Sequence, residues 1–168
     1  MAAFARKLAD GIDRFIDLVG RATSWLALGI ALVMGSNVLL RYGFSIGSIW
    51  MQELEWHIMV PICVFGMSYA LRHGEHVRVD VVFQYFSPRA KLLVEVITAV
   101  IAMLFSVIVI WLCIPYVWQS WSIGEGTANP GGIDYRYIVK SLIPIGFALF
   151  FAQSLSEAIK SYFAWRSA

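Results

Sequence analysis

The chain has 168 residues, of which 60% are hydrophobic and 14% charged, well below the quarter or so of charged residues in a soluble domain. Its mean hydropathy is +0.71, and its charges cluster so that long uncharged runs lie between them, which excludes an ordinary soluble fold. A formal net charge of +2 gives no basis for nucleic acid binding, and the chain has no Gly-rich phosphate-binding motif that would make it an ATPase.

The uncharged runs are Ala22–Leu40, Ile58–Leu71, Val96–Ser122 and Ser141–Ser156. A helix needs about 20 apolar residues to cross the hydrocarbon core. The first and third runs qualify alone, and the other two gain length from aromatic flanks. The expected fold is therefore an all-α integral membrane protein, a single membrane domain over residues 1–168 with spans of about 22–40, 50–71, 88–121 and 137–157. Of the 13 Lys and Arg residues, only Arg41, Arg136 and Lys140 fall in the first and third loops. The excess elsewhere predicts that both termini and the second loop are cytoplasmic.

Ahead of the first span, Phe4, Leu8, Ile12, Phe15, Ile16 and Val19 share one helical face. Arg6, Asp10, Asp13, Arg14, Asp17 and Arg21 lie mostly on the other, with Asp10–Arg14 and Asp17–Arg21 in the favourable i,i+4 order. This pattern predicts an amphipathic interfacial helix over 1–21, or alternatively an extension of the first span into water. Three Asp residues and the lack of a small-residue cleavage site predict that the first run is a retained anchor and not a signal peptide. Ala27, Ala31 and Gly35 make a small-residue stripe on that span, suited to helix packing.

Ser48 is the expected N-cap of the second helix, with Glu53 in its early turns where the helix dipole favours an anion. Pro61 removes one backbone hydrogen bond there and predicts a bend. In the second loop, Val77, Val79 and Val81 alternate with Arg78 and Asp80, a pattern for a segment lying along the inner membrane face. Ser87-Pro88 signals a helix start, and the chain stays helix-compatible to about Trp121. At 1.5 Å per residue this third helix is about 50 Å long against a core of about 30 Å, so it must tilt, protrude or bend at Pro115. Glu95 follows Lys91 at i,i+4 and is expected to pair with it at headgroup level, the alternative being a contact to another helix or subunit. Residues 122–134 contain four Gly, one Pro and one Asn and form the only sizeable outer loop. Around it, Trp50, Trp56, Tyr116, Trp118, Trp121, Tyr135 and Tyr137 are placed for an outer aromatic belt.

The sequence offers no catalytic, cofactor or metal site. The ionisable residues near the spans, Glu53, Glu55, His57, Arg72, Glu95 and Lys140, all fall near span ends, so a polar path through this chain alone is not expected. A membrane haem needs two facing histidines. His57 lies at the opposite end from His73 and His76, so satisfied interfacial histidines are expected instead. Cys63 and Cys113 both lie in apolar runs and are expected to be small buried side chains, not a disulfide or metal pair. Two alternatives remain on these residues: an anchor subunit of a respiratory redox complex, and a self-sufficient homo-oligomeric exporter. The second would need a carboxylate deep in a span.

Several blocks carry a family resemblance. Trp50-Met-Gln-Glu53-Leu-Glu55-Trp56 follows an Arg41-Tyr-Gly-Phe44 turn. Gly66-Met-Ser-Tyr-Ala-Leu-Arg72 and His76-Val-Arg78-Val-Asp80 come next. Asn129-Pro-Gly131-Gly132-Ile133, Arg136, Lys140, Ile143-Pro144-Ile-Gly146-Phe147 and Gln153 complete the series. From Arg41 to Gln153 the chain closely resembles the small membrane (Q-type) subunit of tripartite ATP-independent periplasmic (TRAP) transporters. The resemblance implies a subunit that braces a large membrane subunit carrying sodium and an organic acid, the acid being delivered by a periplasmic binding protein. It also implies structural or subunit-contact roles for Arg41, Trp50, Glu53, Arg72, Gly131, Gly132, Arg136, Lys140, Pro144 and Gln153. His76, Arg78 and Asp80 are then expected to form an inner docking element.

Overall fold

The computed structural model describes residues 2–75, 83 and 85–167, and all regular structure among them is helical. Four helices are long and apolar enough to cross a membrane: α1 (Ala2–Gly43), α2 (Ile49–His73), α3 (Pro88–Ser122) and α4 (Arg136–Ser167).

Their ends follow local chemistry. The Ser48 side chain accepts a hydrogen bond from the Met51 amide at the start of α2, and Ser87 does the same for Ala90 ahead of Pro88 at the start of α3. Each satisfies an amide that the helix leaves without a partner. Helix α2 stops at Gly74, whose φ of 72° lies in the left-handed region. The amides of Gly74 and Glu75 there return to the carbonyls of Leu71 and Ala70, closing the last turn as glycine C-caps do. Prolines 61, 115 and 144 are carried inside α2, α3 and α4 without ending them.

Two helices run past the expected span ends. The amphipathic stretch 1–21 is not a separate element but the first half of a 42-residue α1, and the tail after Glu157 continues α4 to Ser167. The start of α1, the end of α2, the start of α3 and the end of α4 share one end of the molecule. The 44–48 turn and the 123–135 loop share the other.

Helix α4 packs on all three of the others, α1 packs also on α2, and α3 packs chiefly on α4. The result is an open layer and not a closed bundle. Its interior is polar. Among the described residues the buried hydrophobic side chains are only Ala9, Ile16 and Ala99, whereas Asp13, Thr23, Glu53, Gln153 and Ser68, Ser106, Ser120, Ser154, Ser156 and Ser161 are buried. Large apolar side chains such as Trp25, Leu32, Ile101, Leu104 and Trp111 face outward. This inversion suits lipid as solvent. Hydrocarbon gives no hydrophobic drive to bury Leu between helices, so small and polar residues that permit close approach and hydrogen bonding hold the contacts.

The inversion shows on α1 and corrects the expectation that Cys63 is a buried small side chain. On α1 the inward face is Ala9, Asp13, Ile16, Gly20 and Thr23, while Phe4, Leu8 and Phe15 of the apolar face are exposed. Cys63 is likewise exposed and Cys113 half-buried, both as free thiols. The Ala27–Ala31–Gly35 stripe is exposed as well, and a Cβ at Gly35 would meet nothing within 4 Å.

Helices α2 and α4 approach closely at Gly146. A Cβ there would lie 2.6 Å from the Val64 Cβ and 3.0 Å from the Val64 carbonyl oxygen. The carbonyl cannot swing away without disturbing α2. Gly146→Ala is therefore expected to lower the thermal unfolding midpoint of the detergent-purified chain, at a cost of about 1–3 kcal/mol. Gly35→Ala, where a methyl meets nothing within 4 Å, is the control. Equal midpoints would show that the helices simply move apart at Gly146.

Candidate functional site

Two buried carboxylates organise the two ends of the layer. At the loop end, Glu53 in the second turn of α2 is 1% exposed. Its Oε1 accepts from Thr127 Oγ1 at 2.5 Å and Asn129 Nδ2 at 2.9 Å, and its Oε2 accepts from the Ile133 amide at 2.6 Å. The Arg136 guanidinium stands 4.0 Å away and lies over the Trp56 ring at 5.8 Å from its centroid, within the range of a cation–π contact. Gly132 lets the loop come this close, since a Cβ there would sit 2.5 Å from Glu53 Oε2. Gly131 before it has a φ of 80°, so the Gly-Gly pair supplies both the turn and the clearance. Glu53 thus latches the 123–135 loop onto α2.

A second pair supports the latch. Lys140 of α4 donates to Glu125 and lies 4.2 Å from the Tyr116 ring centroid of α3. The Lys140 hydrogen bond holds the Glu125 carboxyl below the usual carboxylate range. Across the layer, Asn37 of α1 donates to Glu55 of α2 at 3.1 Å.

At the terminal end, Asp13 of α1 is 5% exposed and receives donors from two other helices. Arg72 Nη1 of α2 lies 3.2 Å from it and Lys160 Nζ of α4 2.6 Å. Ser156 Oγ and Gln153 Nε2, also on α4, donate at 2.7 and 3.2 Å. Asp17, one turn on, meets Arg72 at 3.7 Å and His73 at 3.1 Å, so its partners are on α2 and not Arg21. On α4, Gln153 and Lys160 both reach Glu157, at 2.9 and 3.0 Å. Ser161 ties α3 to α4 by donating to Glu95 at 3.2 Å. Gly20 faces the Tyr69 ring with no room for a Cβ.

The structure therefore gathers the sequence candidates into two groups. Glu53, Gly131, Gly132, Arg136 and Lys140 meet at the loop end; Arg72 and Gln153 meet at the terminal end. Arg41 and Trp50 are exposed beside the loop end, and Pro144 sits half-buried inside α4 near Gly146. His76, Arg78 and Asp80 lie outside the described residues, as does the valine alternation around them. Sequence reasoning missed Asp13, Lys160, Thr127 and Glu125 as members of these sites. The periodic signal for Asp13 was present, because 9, 13, 16, 20 and 23 repeat at helical spacing with mostly small or polar side chains. His57 departs from expectation: its Nδ1 lies 2.6 Å from the Glu53 carbonyl, but its buried Nε2 has no partner.

Chemically, both sites are saturated carboxylates. Their oxygens are spent on protein donors, and among the described residues no group of three or more His, Cys, Asp or Glu is arranged to hold a metal. Such sites tie elements together.

Comparison with known proteins agrees with this architecture. Residues 30–163 match the family model described as tripartite ATP-independent periplasmic transporters, DctQ component. The ectoine TRAP transporter small permease protein TeaB of Halomonas elongata is 23% identical over 139 residues, covering 81% of this chain and 71% of that protein.

Proposed function

Because the chain belongs to the DctQ component family of tripartite ATP-independent periplasmic transporters, we propose that it braces a large membrane subunit during sodium-coupled uptake of an organic acid handed over by a periplasmic binding protein. It is a small permease component of such a transporter, a multi-pass protein of the bacterial inner membrane and a transporter part, not an enzyme.

The observation that supports bracing is the combination of locked ends and an uncovered middle. Saturated carboxylates fix α1, α2, α4 and the 123–135 loop relative to one another. Between them, apolar faces of α1 and α3 stay uncovered by this chain. A rigid layer with apolar outer faces is suited to hold a larger membrane protein, with lipid covering the rest. The proposed orientation has both termini in the cytoplasm, following the excess of Lys and Arg at that end. The loop end, with Arg136 and Lys140, then faces the periplasm, where the binding protein approaches.

His76, Arg78 and Asp80 are proposed to dock the inner loop against the large subunit. Arg78 offers a planar fork with fixed charge, suited to carboxylates and backbone carbonyls. The experiment is co-purification of the large subunit with the tagged full chain. Arg78→Ala is expected to lower recovery of the large subunit while leaving the amount of the small chain unchanged. Equal recovery would remove the docking role, and failure of the small chain itself to accumulate would assign Arg78 to folding. Failure of even the unaltered chain to recover the large subunit would remove the bracing reading.

A further inference from the structure

Along the first half of α1, Phe4, Leu8, Gly11, Phe15, Leu18 and Ala22 are all exposed, spaced alternately four and three residues apart. They share the face opposite the buried Ala9, Asp13, Ile16 and Gly20. A repeat of about 3.5 residues is the seam into which a second helix packs. Lys7, Arg14 and Arg21, each seven residues from the next, border this seam on one edge. All three are exposed and make no ion pair among the described residues. Asp10 is the only exposed carboxylate on the same stretch.

Lipid does not reach most of the seam. Arg21 and Arg41 bracket the uncharged run of α1 and stand about 30 Å apart along a helix axis, which matches the hydrocarbon core. Phe15, Leu8 and Phe4 then lie about 9, 20 and 25 Å beyond Arg21, past a headgroup layer about 5–7 Å deep. The ordinary tilt of a membrane helix hardly shortens these distances. Nor does the stretch turn aside to lie along the membrane, because Asp13 is tied to α2 and α4 and Gly20 is packed on Tyr69 of α2. The ionised groups of the Asp13 clamp, on the same turns, also belong outside hydrocarbon.

We infer that this seam docks an acidic amphipathic helix of the large membrane subunit, beyond the hydrocarbon at the terminal end. The 3.5-residue repeat fits a helix, and Gly11 and Ala22 let its backbone come close. Three like charges on one edge are matched by carboxylates on the opposing helix. A second copy of this chain does not supply them. Held parallel by the membrane, it would set its Ile12 and Val19 edge against the cations and leave them unpaired. The docking rests on the bracing role already proposed.

The test uses the full tagged chain co-expressed with the large subunit. A photocrosslinking benzoylphenylalanine is placed at Leu8 or at Phe15, and crosslinked peptides are mapped by mass spectrometry. Both positions are expected to crosslink to one segment of the large subunit that carries Asp or Glu beside an apolar row. Lys7→Glu combined with Arg14→Glu is expected to lower the crosslink yield per small chain about fivefold or more, the scale of exposed ion pairs turned to repulsion. Asp10→Lys, which reverses a charge on the same helix but adds to the cations, is expected not to lower it. Recovery of the large subunit with no crosslink from either position, or with a yield that the double reversal leaves unchanged, would overturn the seam and leave the bracing role standing. Crosslinks confined to lipid or to a second copy would overturn the partner. Failure of the unaltered chain to recover the large subunit would overturn the bracing role and the docking with it.

Discussion

Asp13→Ala is expected to cost the helix layer about 3 kcal/mol, near the lower end for breaking a buried ion pair. The substitution strips four donors of their acceptor at once: Arg72, Lys160, Ser156 and Gln153. The guanidinium and ammonium keep their charge when the carboxylate is gone, and the loss comes from leaving them near the interior without a partner. The full penalty is not reached, because the Arg72 and Lys160 side chains are 30% and 34% exposed and can turn to water. Asp17 and Glu157 also remain within reach. The measurement is the unfolding midpoint of the detergent-purified chain, with Asp10→Ala, an exposed carboxylate on the same helix, as the control. Equal midpoints for the two variants would show that the clamp adds nothing to stability.

Glu53→Gln is expected to free the 123–135 loop without unfolding the helices. The amide keeps the size of the carboxylate but replaces one acceptor oxygen with a donor. That donor must face either Thr127 and Asn129 or the Ile133 amide, all of which donate already. Gly132 leaves no slack, because the loop backbone is in contact with the side chain. Hydrogen exchange at the Ile133 amide should rise about tenfold or more, the scale set by losing a hydrogen bond to a charged group. Glu125→Gln is expected to loosen the loop less, since the Arg136 amide still returns to the Glu125 carbonyl. Exchange at Ile133 unchanged by Glu53→Gln would mean that the loop is held by its own turns.

How far the fold was legible follows from what lipid does to sequence signals. Span number, the Ser48 and Ser87 caps and the Gly-rich loop between α3 and α4 depend on local composition, and each is found where the sequence puts it. The inward faces were not legible by the rule used for soluble helices. On α1 the strongest apolar stripe, with Phe4, Leu8 and Phe15, points outward, and the face carrying Asp13 points inward. In water the more apolar side of a helix turns to the core, but between helices in hydrocarbon that drive is missing. Glu53 and Arg72 were legible as candidates because they stand near span ends within recognisable blocks. Their partners were not. Thr127, Asn129 and Ile133 are 74 to 80 positions from Glu53, and Ser156 is 143 from Asp13, separations that no local pattern encodes. Asp13 also precedes the 30–163 segment that carries the family match, so family blocks could not point to it.

In the proposed reading, the two clamps and the open apolar faces belong to a part that holds another membrane protein and carries no ion or substrate path of its own. The most direct measurement of that claim is uptake into proteoliposomes with an imposed sodium gradient. Labelled organic acids and ectoine, the compound in the name of the relative, are offered with the binding protein present. The purified chain alone is expected to give no uptake above empty liposomes, and addition of the large subunit is expected to produce sodium-dependent uptake of one of these compounds. Robust uptake by the small chain alone, or full uptake by the large subunit and binding protein without it, would contradict the account.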